Sequence, residues 1–338
     1  MNAPLPFFYL LSLISLAGCQ PLTDSKPFMS FDLSPPALTD IRTLDSGKIE
    51  ICFSEAAQLH PEKLLIQPEL EIITVKSEVN KVVLHVAEQI PGKLYVLNGV
   101  AEDANRNRVQ IVVNFYGFNP SIPLMRINEF TTRGSSSHPD KVELIIADGG
   151  NMGGTVLYQG TPGSYKDRLV FPAFQVKQGD FIVVHFKPQG LAQEIDETTA
   201  KDQSGGLDAS DTAFDFWVKE GTGIGGNNGV LSLYQRPGGP IIDGVLYSNR
   251  SSWSDERYRG FGTAATMVRA DELALGLGWI VEKELIRPED GINPEGSTST
   301  RSICRRKGTD TDTRHDWYIV PTRQASFGDN NSEEVYSP

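Results

Sequence analysis

The chain has 338 residues, with 31 Lys and Arg against 43 Asp and Glu and a formal net charge of −12 at pH 7. This length favours two domains over one and is sufficient to bury apolar cores without a disulfide framework. The acidic excess argues against a general nucleic-acid binder and against electrostatic adhesion to an anionic bilayer, because both need dense Lys and Arg surfaces. The 32 Gly, 21 Pro and 39% hydrophobic residues are typical of a globular, turn-rich chain.

The first nineteen residues have the pattern of an export signal. An uncharged apolar run extends from Phe7 to Ala17, which is the length of the apolar region of a secretory signal and too short to span a bilayer. The run ends in the sequence LAGC at residues 16–19, and this motif resembles the lipobox of bacterial lipoproteins. The resemblance implies cleavage before Cys19 and acylation of that residue, and two or three acyl chains give a stable anchor where one is marginal.

The lipobox resemblance also sets the expected location of the protein. We expect a lipoprotein signal peptide at residues 1–18, a tether at 19–27, and anchoring to a membrane of the bacterial cell envelope through Cys19. Position 20 is Gln rather than Asp, which by the same resemblance favours the outer membrane over the inner one. No Lys or Arg precedes the apolar run, so either the α-amino group supplies the positive charge or the translation start lies upstream.

The other two cysteines, Cys52 and Cys304, are 252 positions apart. A disulfide between them is chemically permitted after export, but two isolated small apolar residues in separate domains are the favoured interpretation. Neither the cysteines nor the five histidines have the spacing of a zinc site or a catalytic triad. The sequence therefore predicts no cofactor and no catalytic residue.

Residues 28–118 form a series of short strand-like runs separated by turns. Residues 48–54 alternate apolar and polar side chains, which is the pattern of a half-buried strand, and regular short strands without long amphipathic helices predict a β-sandwich. The sequence ICFSE at 51–55 and the segment 91–103 resemble an early strand and a later segment of bacterial Ig-like domains. The resemblance implies a spacer or presentation domain over 28–118 and is nearly silent on activity.

Residues 124–332 are predicted to form a second sandwich. The run LMRINEF at 124–130 resembles the start of the lamin-tail domain, and the segments 299–306 and 310–317 resemble its late strand and a following turn. Between them, a hairpin of 230–234 and 241–247 is also similar to that family. The resemblance implies an Ig-like sandwich that acts as an interaction or structural domain.

The second domain is longer than a typical lamin-tail domain, so insertions are expected. Residues 190–212 are polar and Gly-rich, and residues 251–296 contain one predicted helix at 264–275, because Ala, Met and Leu favour helices. We expect Trp253, Trp279 and Trp317 to pack these insertions onto the sandwich. The predicted fold class is therefore all-β, with two Ig-like β-sandwich domains in tandem, the second with loop and short-helix insertions. The whole resembles lipoproteins of spirochaete-type bacteria that carry a lamin-tail domain.

Two motifs could indicate ligand binding. The sequence GTGIGG at 221–226 satisfies the dinucleotide pattern, but an Asn-Gly turn and a strand follow it instead of a helix, so no nucleotide site is expected. Asp310, Asp312 and Asp316 offer hard oxygens suited to Ca²⁺. Stabilisation of a turn is the preferred interpretation, because Asp side chains bond to local backbone. These three aspartates remain the lesser metal candidates, with no metal predicted.

A basic run comprises Arg301, Arg305, Arg306 and Lys307. A nucleic-acid patch is one interpretation, and a solvated strand edge guarded by charge is the preferred one. His138 and His315 are both expected in loops, and the sequence leaves open whether they are neighbours.

The sequence therefore predicts a membrane-anchored, non-enzymatic lipoprotein that serves as an interaction or structural module. Its partners are expected to be the membrane, through Cys19, and an unidentified protein or envelope polymer, without nucleotide and without nucleic acid. One alternative is a hydrolase acting on nucleic acid or phosphoesters, or the targeting part of one, by analogy with bacterial lamin-tail proteins. Another alternative is a glycan-binding surface in the insertions at 190–212 and 251–296.

Overall fold

The computed structural model describes residues 32–338 and has an all-β architecture with one α-helix in that range. Cys19, the signal peptide and the tether lie outside the described residues, so the anchor stays a prediction. Within residues 32–338, no helix has the length and apolar character needed to cross a membrane.

Two apolar cores divide the described chain into two sandwiches. The first sandwich packs a four-stranded sheet of order β1-β2-β6-β5 against a second sheet in which β7 pairs with β3, β4 and β8, and all these pairs are antiparallel. Its strands are β1 (Leu38–Asp45), β2 (Lys48–Phe53), β3 (Gln58–Leu59), β4 (Leu65–Gln67), β5 (Ile72–Glu78), β6 (Lys81–Val86), β7 (Leu94–Glu102) and β8 (Arg108–Tyr116).

The alternation of side chains along these strands builds the first core. On β6, Val82, Leu84 and Val86 are buried while the residues between them are only partly buried, because successive side chains of a strand point to opposite faces. The same alternation continues along β7. The core formed in this way is aliphatic and aromatic throughout.

The second sandwich has larger sheets. A six-stranded sheet has the order β16-β15-β10-β9-β19-β20, a four-stranded sheet the order β13-β12-β17-β18, and β11 pairs with β14. The β15–β16 pair is parallel and the remaining pairs are antiparallel. The elements are β9 (Leu124–Phe130), β10 (Lys141–Asp148), β11 (Gly150–Asn151), β12 (Val156–Thr161), β13 (Ser164–Val170), β14 (Gln175–Val176), β15 (Phe181–His185), β16 (Phe214–Trp217), β17 (Asn228–Tyr234), β18 (Ile241–Ser248), α1 (Ala264–Leu275), β19 (Ile303–Arg305) and β20 (Trp317–Ile319).

The helix α1 confirms the prediction made for residues 264–275. Thr263 caps its start by accepting a hydrogen bond from the Thr266 backbone N–H at 3.1 Å, which satisfies one of the free amides of the first turn. Ala270 and Leu273 are fully buried against the four-stranded sheet. The helix therefore belongs to the second core.

The structure also tests the predictions made for the GTGIGG loop, for the two cysteines and for the three tryptophans. The GTGIGG loop leads into β17, which forms a hairpin with β18. Cys52 and Cys304 are free and lie in different sandwiches. Trp279 and Trp317 are buried as expected, but Trp253 is 93% exposed. The expectation for Trp253 is wrong because its short 3-10 turn holds the side chain outward.

A short connection joins the two sandwiches and is bonded to the second. The Asn119 side-chain amide donates to the backbone carbonyls of Asn151 at 2.6 Å and Gly153 at 2.8 Å. Nearby, a Cβ on Gly92 would lie 1.9 Å from the Gly154 backbone nitrogen. Glycine is therefore required at position 92 for the two domains to approach this closely.

Candidate functional site

The three aspartates considered as metal ligands do not all converge. Carboxylate oxygens of Asp310 and Asp312 lie within 4.8 Å of each other and of Asp243 on β18. Asp316 lies 3.9 Å from the Arg305 guanidinium but outside this group of three, and it accepts hydrogen bonds from the Thr311 backbone N–H at 2.7 Å and hydroxyl at 2.8 Å. Asp316 therefore stabilises the turn, and the structure adds Asp243, which no local motif indicated.

A protein cation lies among these acids. The Arg305 guanidinium donates to both carboxylate oxygens of Asp243 at 2.9 and 2.7 Å and to Asp310 at 2.5 Å. Its Nε donates to the Ile127 carbonyl at 2.8 Å, and its Cζ lies 4.6 Å from the centre of the Trp317 ring. One guanidinium nitrogen thus contacts both oxygens of Asp243 while the other contacts Asp310, so a protein cation occupies the centre of this acidic cluster, as in a structural ion pair.

Burial explains the electrostatics of this cluster. Burial raises the pKa of Asp243 to about 6, although Arg305 opposes the shift. Burial and the neighbouring Asp310 raise the pKa of Asp312. The assignment of Arg305 to an exposed basic run is wrong, because its side chain is only 2% exposed. Its position on β19 points it into the core.

Two further buried acids bind the segment around residues 326–328 to the six-stranded sheet. Glu129 on β9 and Glu143 on β10 are cross-strand partners, and both are fully buried. Glu129 accepts hydrogen bonds from the Ser302 hydroxyl and from the Ser326 backbone at 2.9 Å, while Glu143 accepts from the Gly328 N–H at 2.5 Å. Burial raises the pKa of both carboxyls, and the charge of Glu129 raises that of Glu143 further.

A buried contact between a histidine and an aspartate lies at the base of the 190–212 insertion and bonds to it. His185 on β15 contacts Asp215 on β16 at 2.8 Å and stacks on Trp217 at 3.9 Å between ring centroids. Asp215 also accepts from the Ser210 backbone N–H at 2.6 Å. Burial lowers the pKa of His185, although Asp215 opposes the shift. The contact between His185 and Asp215 therefore packs the base of the insertion against β15 and β16.

The two loop histidines belong to different clefts. His138 contacts Asp208 at 2.9 Å, and Lys141 donates to the other oxygen of Asp208 at 2.9 Å, beside a cleft of about 540 Å³. Burial would raise the pKa of Asp208, but Lys141 and His138 hold it below the ordinary value. His315 lines another cleft, so the structure does not bring the two histidines together.

The second cleft, which we call the β20 cleft, has a volume of about 750 Å³ and combines basic and aromatic side chains. Arg306 stacks on Tyr318 at 5.0 Å, and neither Arg306 nor Arg314 has an ion-pair partner within residues 32–338. The indole N–H of Trp317 is buried without an acceptor in the described part of the chain. The cleft is lined by residues that include Ile292, Arg306, Arg314, His315, Trp317, Tyr318 and Tyr336.

These features suit the β20 cleft to a ligand with acidic or acceptor groups. The Arg314 guanidinium donates to the Glu289 carbonyl at 2.5 Å, but neither arginine has a carboxylate partner in the described residues, so both offer further donors in a fixed plane. The aromatic walls supply apolar contact. The basic run 301–307 indicated only part of this surface. Sequence reasoning missed Tyr318 and Tyr336 because their proximity depends on the position of β20 at the sheet edge.

Comparisons with known proteins place the second sandwich in a described family. The family model TP_1001_2nd, described as a protein second domain, matches residues 123–319, which is more than half of the chain. An uncharacterized protein of Treponema pallidum (strain Nichols) is 31% identical over 166 residues, covering 49% of this chain and 40% of that protein. The chain therefore spans less than half the length of the curated relative it matches.

A solved structure also shows a distant similarity. The crystal structure of a DUF4876 family protein from Bacteroides thetaiotaomicron aligns over 84% of this chain and 92% of its own, at 13% identity and a TM-score of 0.30. A similarity at that level does not assign a shared fold or function.

Proposed function

The chain belongs to the TP_1001_2nd family, and we propose that its second sandwich is the interaction module of a lipid-anchored protein of the bacterial cell envelope. The β20 cleft carries this proposal, because it presents Arg306 and Arg314, which have no ion-pair partner in residues 32–338, beside aromatic side chains in a chain of net charge −12. Local basic character within an acidic protein favours contact with a complementary partner.

The proposed role is binding and not catalysis. The groups best suited to acid–base chemistry are engaged within the fold: Asp243 with Arg305, and His185 with Asp215. Glu129 and Glu143 accept hydrogen bonds from the segment that closes the domain. These contacts support a structural use for the buried charges.

The first sandwich is proposed as a spacer between the membrane and the module. Its core is apolar throughout, and the bonded connection at Asn119 supports a fixed presentation of the second domain. The LAGC motif at 16–19 supports anchoring through Cys19 and, with Gln after the cysteine, the outer membrane.

Metabolic labelling with a palmitate analogue tests the anchor. We expect Cys19→Ser to abolish labelling of the full chain in a bacterial host, because that thiol would carry the diacylglycerol. Cys52→Ser is the matched control, since Cys52 is a free cysteine of a folded strand, and this variant should label like the unmodified chain. Undiminished labelling of Cys19→Ser would contradict the proposal.

A further inference from the structure

Residues 332–338 lie against the outer edge of β20. This strand is the last of the six-stranded sheet and pairs with β19 on one side. On its other side, the Tyr336 backbone N–H donates to the Ile319 carbonyl at 2.7 Å. The Tyr318 hydroxyl donates to the Ser332 carbonyl. Main-chain bonding at a sheet edge is the way in which β-augmenting peptides are held.

The segment and the surface that it contacts have complementary charge. Residues 332–338 read SEEVYSP, and Glu333 lines a cavity of about 190 Å³ together with Arg306 and Lys307. The guanidinium of Arg301 lies 4.3 Å from the centre of the Tyr336 ring. An acidic segment with one aromatic anchor thus lies along a strand edge that is flanked by the basic side chains of Arg301, Arg306 and Lys307.

The contacts that hold the segment are few. Val335 is 52% exposed, and Glu333 and Glu334 are also exposed. The Gln324 side chain donates to Glu334 at 2.7 Å, a bond between exposed groups. Segments with few buried contacts open at a small fraction of the global unfolding free energy. Residues 332–338 can therefore leave the edge while the sandwich stays folded.

We propose that the edge of β20 is a docking site for an extended acidic peptide with an aromatic residue, and that residues 332–338 occupy this site in cis. The incoming peptide takes the main-chain bond at Ile319 and places acidic side chains beside Arg306 and Lys307. This inference specifies the class of partner that the interaction module binds, and it rests on that proposed function. A tethered segment competes at an effective concentration in the millimolar range, so the site favours partners that bind more tightly than the segment itself.

The test releases the segment in the full chain and supplies it in trans. Tyr336→Pro removes the N–H that bonds to Ile319 and the ring that stacks on Arg301. Ser337→Pro is the matched control, because it places the same residue one position later and keeps the Tyr336 N–H. The probe is a fluorescein-labelled, amidated peptide with the sequence of residues 332–338, followed by fluorescence anisotropy.

We expect the Tyr336→Pro chain to bind the probe at least about ten-fold more tightly than the unmodified chain or the Ser337→Pro chain. Adding Arg306→Glu to the Tyr336→Pro chain should weaken binding by about five-fold, and a probe with Lys at both glutamate positions should recover it. Failure of a folded Tyr336→Pro chain to bind the probe would overturn the inference.

Hydrogen exchange on the unmodified chain gives a second readout that needs no variant. The Tyr336 amide should exchange at least about a hundred-fold faster than the Val320 amide, which donates to the Ser302 carbonyl within the sheet. Equal protection of the Tyr336 and Val320 amides would show that residues 332–338 form a fixed part of the sheet and would overturn the inference. Neither measurement depends on Cys19, so a failure of the anchor and a failure of docking are separate results.

Discussion

The two sandwiches bury charge in different ways. The first sandwich has an apolar core and keeps its ion pairs near the surface, as where Glu50 contacts Arg42 at 2.5 Å and Lys81 at 3.3 Å. The second buries an ion pair of Asp243 and Arg305 within its fold. Its buried charges bond to segments far away in sequence. A domain with long insertions thus uses buried polar contacts to fix segments that an apolar core does not reach.

The same difference appears in the carboxyl pKa values. In the first sandwich, hydrogen bonds from Arg42 lower the pKa of Glu50, and those from Arg108 and His60 lower that of Glu102. In the second, burial raises the pKa of Glu143 and of Asp243. These two sets of carboxyls should therefore contribute to the pH dependence of stability with opposite signs.

The largest effect is expected when the buried ion pair is broken. Arg305→Met leaves Asp243 buried without its cation and should lower the free energy of unfolding of the second domain by about 4 kcal/mol. All four tryptophans lie between residues 217 and 317, so tryptophan fluorescence during urea unfolding follows the second domain alone. Arg306→Met is the control at an exposed arginine next in sequence and should change stability by less than about 0.5 kcal/mol. Equal effects of the two variants would contradict a structural role for Arg305.

A slightly smaller effect is expected from a cavity in the first core. Leu84 is fully buried on β6, so Leu84→Ala should destabilise the first sandwich by about 3 kcal/mol through lost burial and the cavity left behind. Amide hydrogen exchange of β2 and β6 measures this loss. The tryptophan-monitored transition should stay unchanged, and a matching loss there would show that the two domains unfold as one unit.

Local patterns predicted much of the fold. Helix α1 and the hairpin of β17 and β18 occur where residues 264–275, 230–234 and 241–247 indicated them, because periodicity and turn chemistry act over a few residues. The all-β class follows from the same signals.

Local sequence patterns could not predict the buried hydrogen bonds and the buried ion pair of the second domain. Glu129 and Ser302 are 173 positions apart, and Arg305 and Asp243 are 62 apart. These contacts depend on β9 lying between β10 and β19, an order that no local pattern specifies. For the same reason, the sequence predicted Arg305 to be a surface residue like Arg306, although Arg305 is buried as the last residue of β19 and Arg306 follows the strand and is exposed.

The most direct test of the difference between the domains is the pH dependence of two matched variants, Glu143→Gln and Glu50→Gln. The folded-state pKa of Glu143 is raised, so the stability associated with its protonated form is present at low pH and is lost as pH rises through that value. Glutamine cannot ionise, so the stability of Glu143→Gln relative to the unmodified chain should increase between pH 5 and pH 8. Each unit of pKa shift within this window contributes about 1.4 kcal/mol.

The comparison with the unmodified chain cancels His185, whose lowered pKa contributes with the opposite sign below its ordinary value. The folded-state pKa of Glu50 is lowered by its contacts with Arg42 and Lys81, so its stabilisation is lost only as pH falls below the ordinary range of a glutamate. The relative stability of Glu50→Gln should therefore stay flat between pH 5 and pH 8, as followed by hydrogen exchange in the first sandwich. A flat or falling profile for Glu143→Gln, followed by tryptophan fluorescence, would contradict the account of the second domain as a sandwich fastened by buried acids.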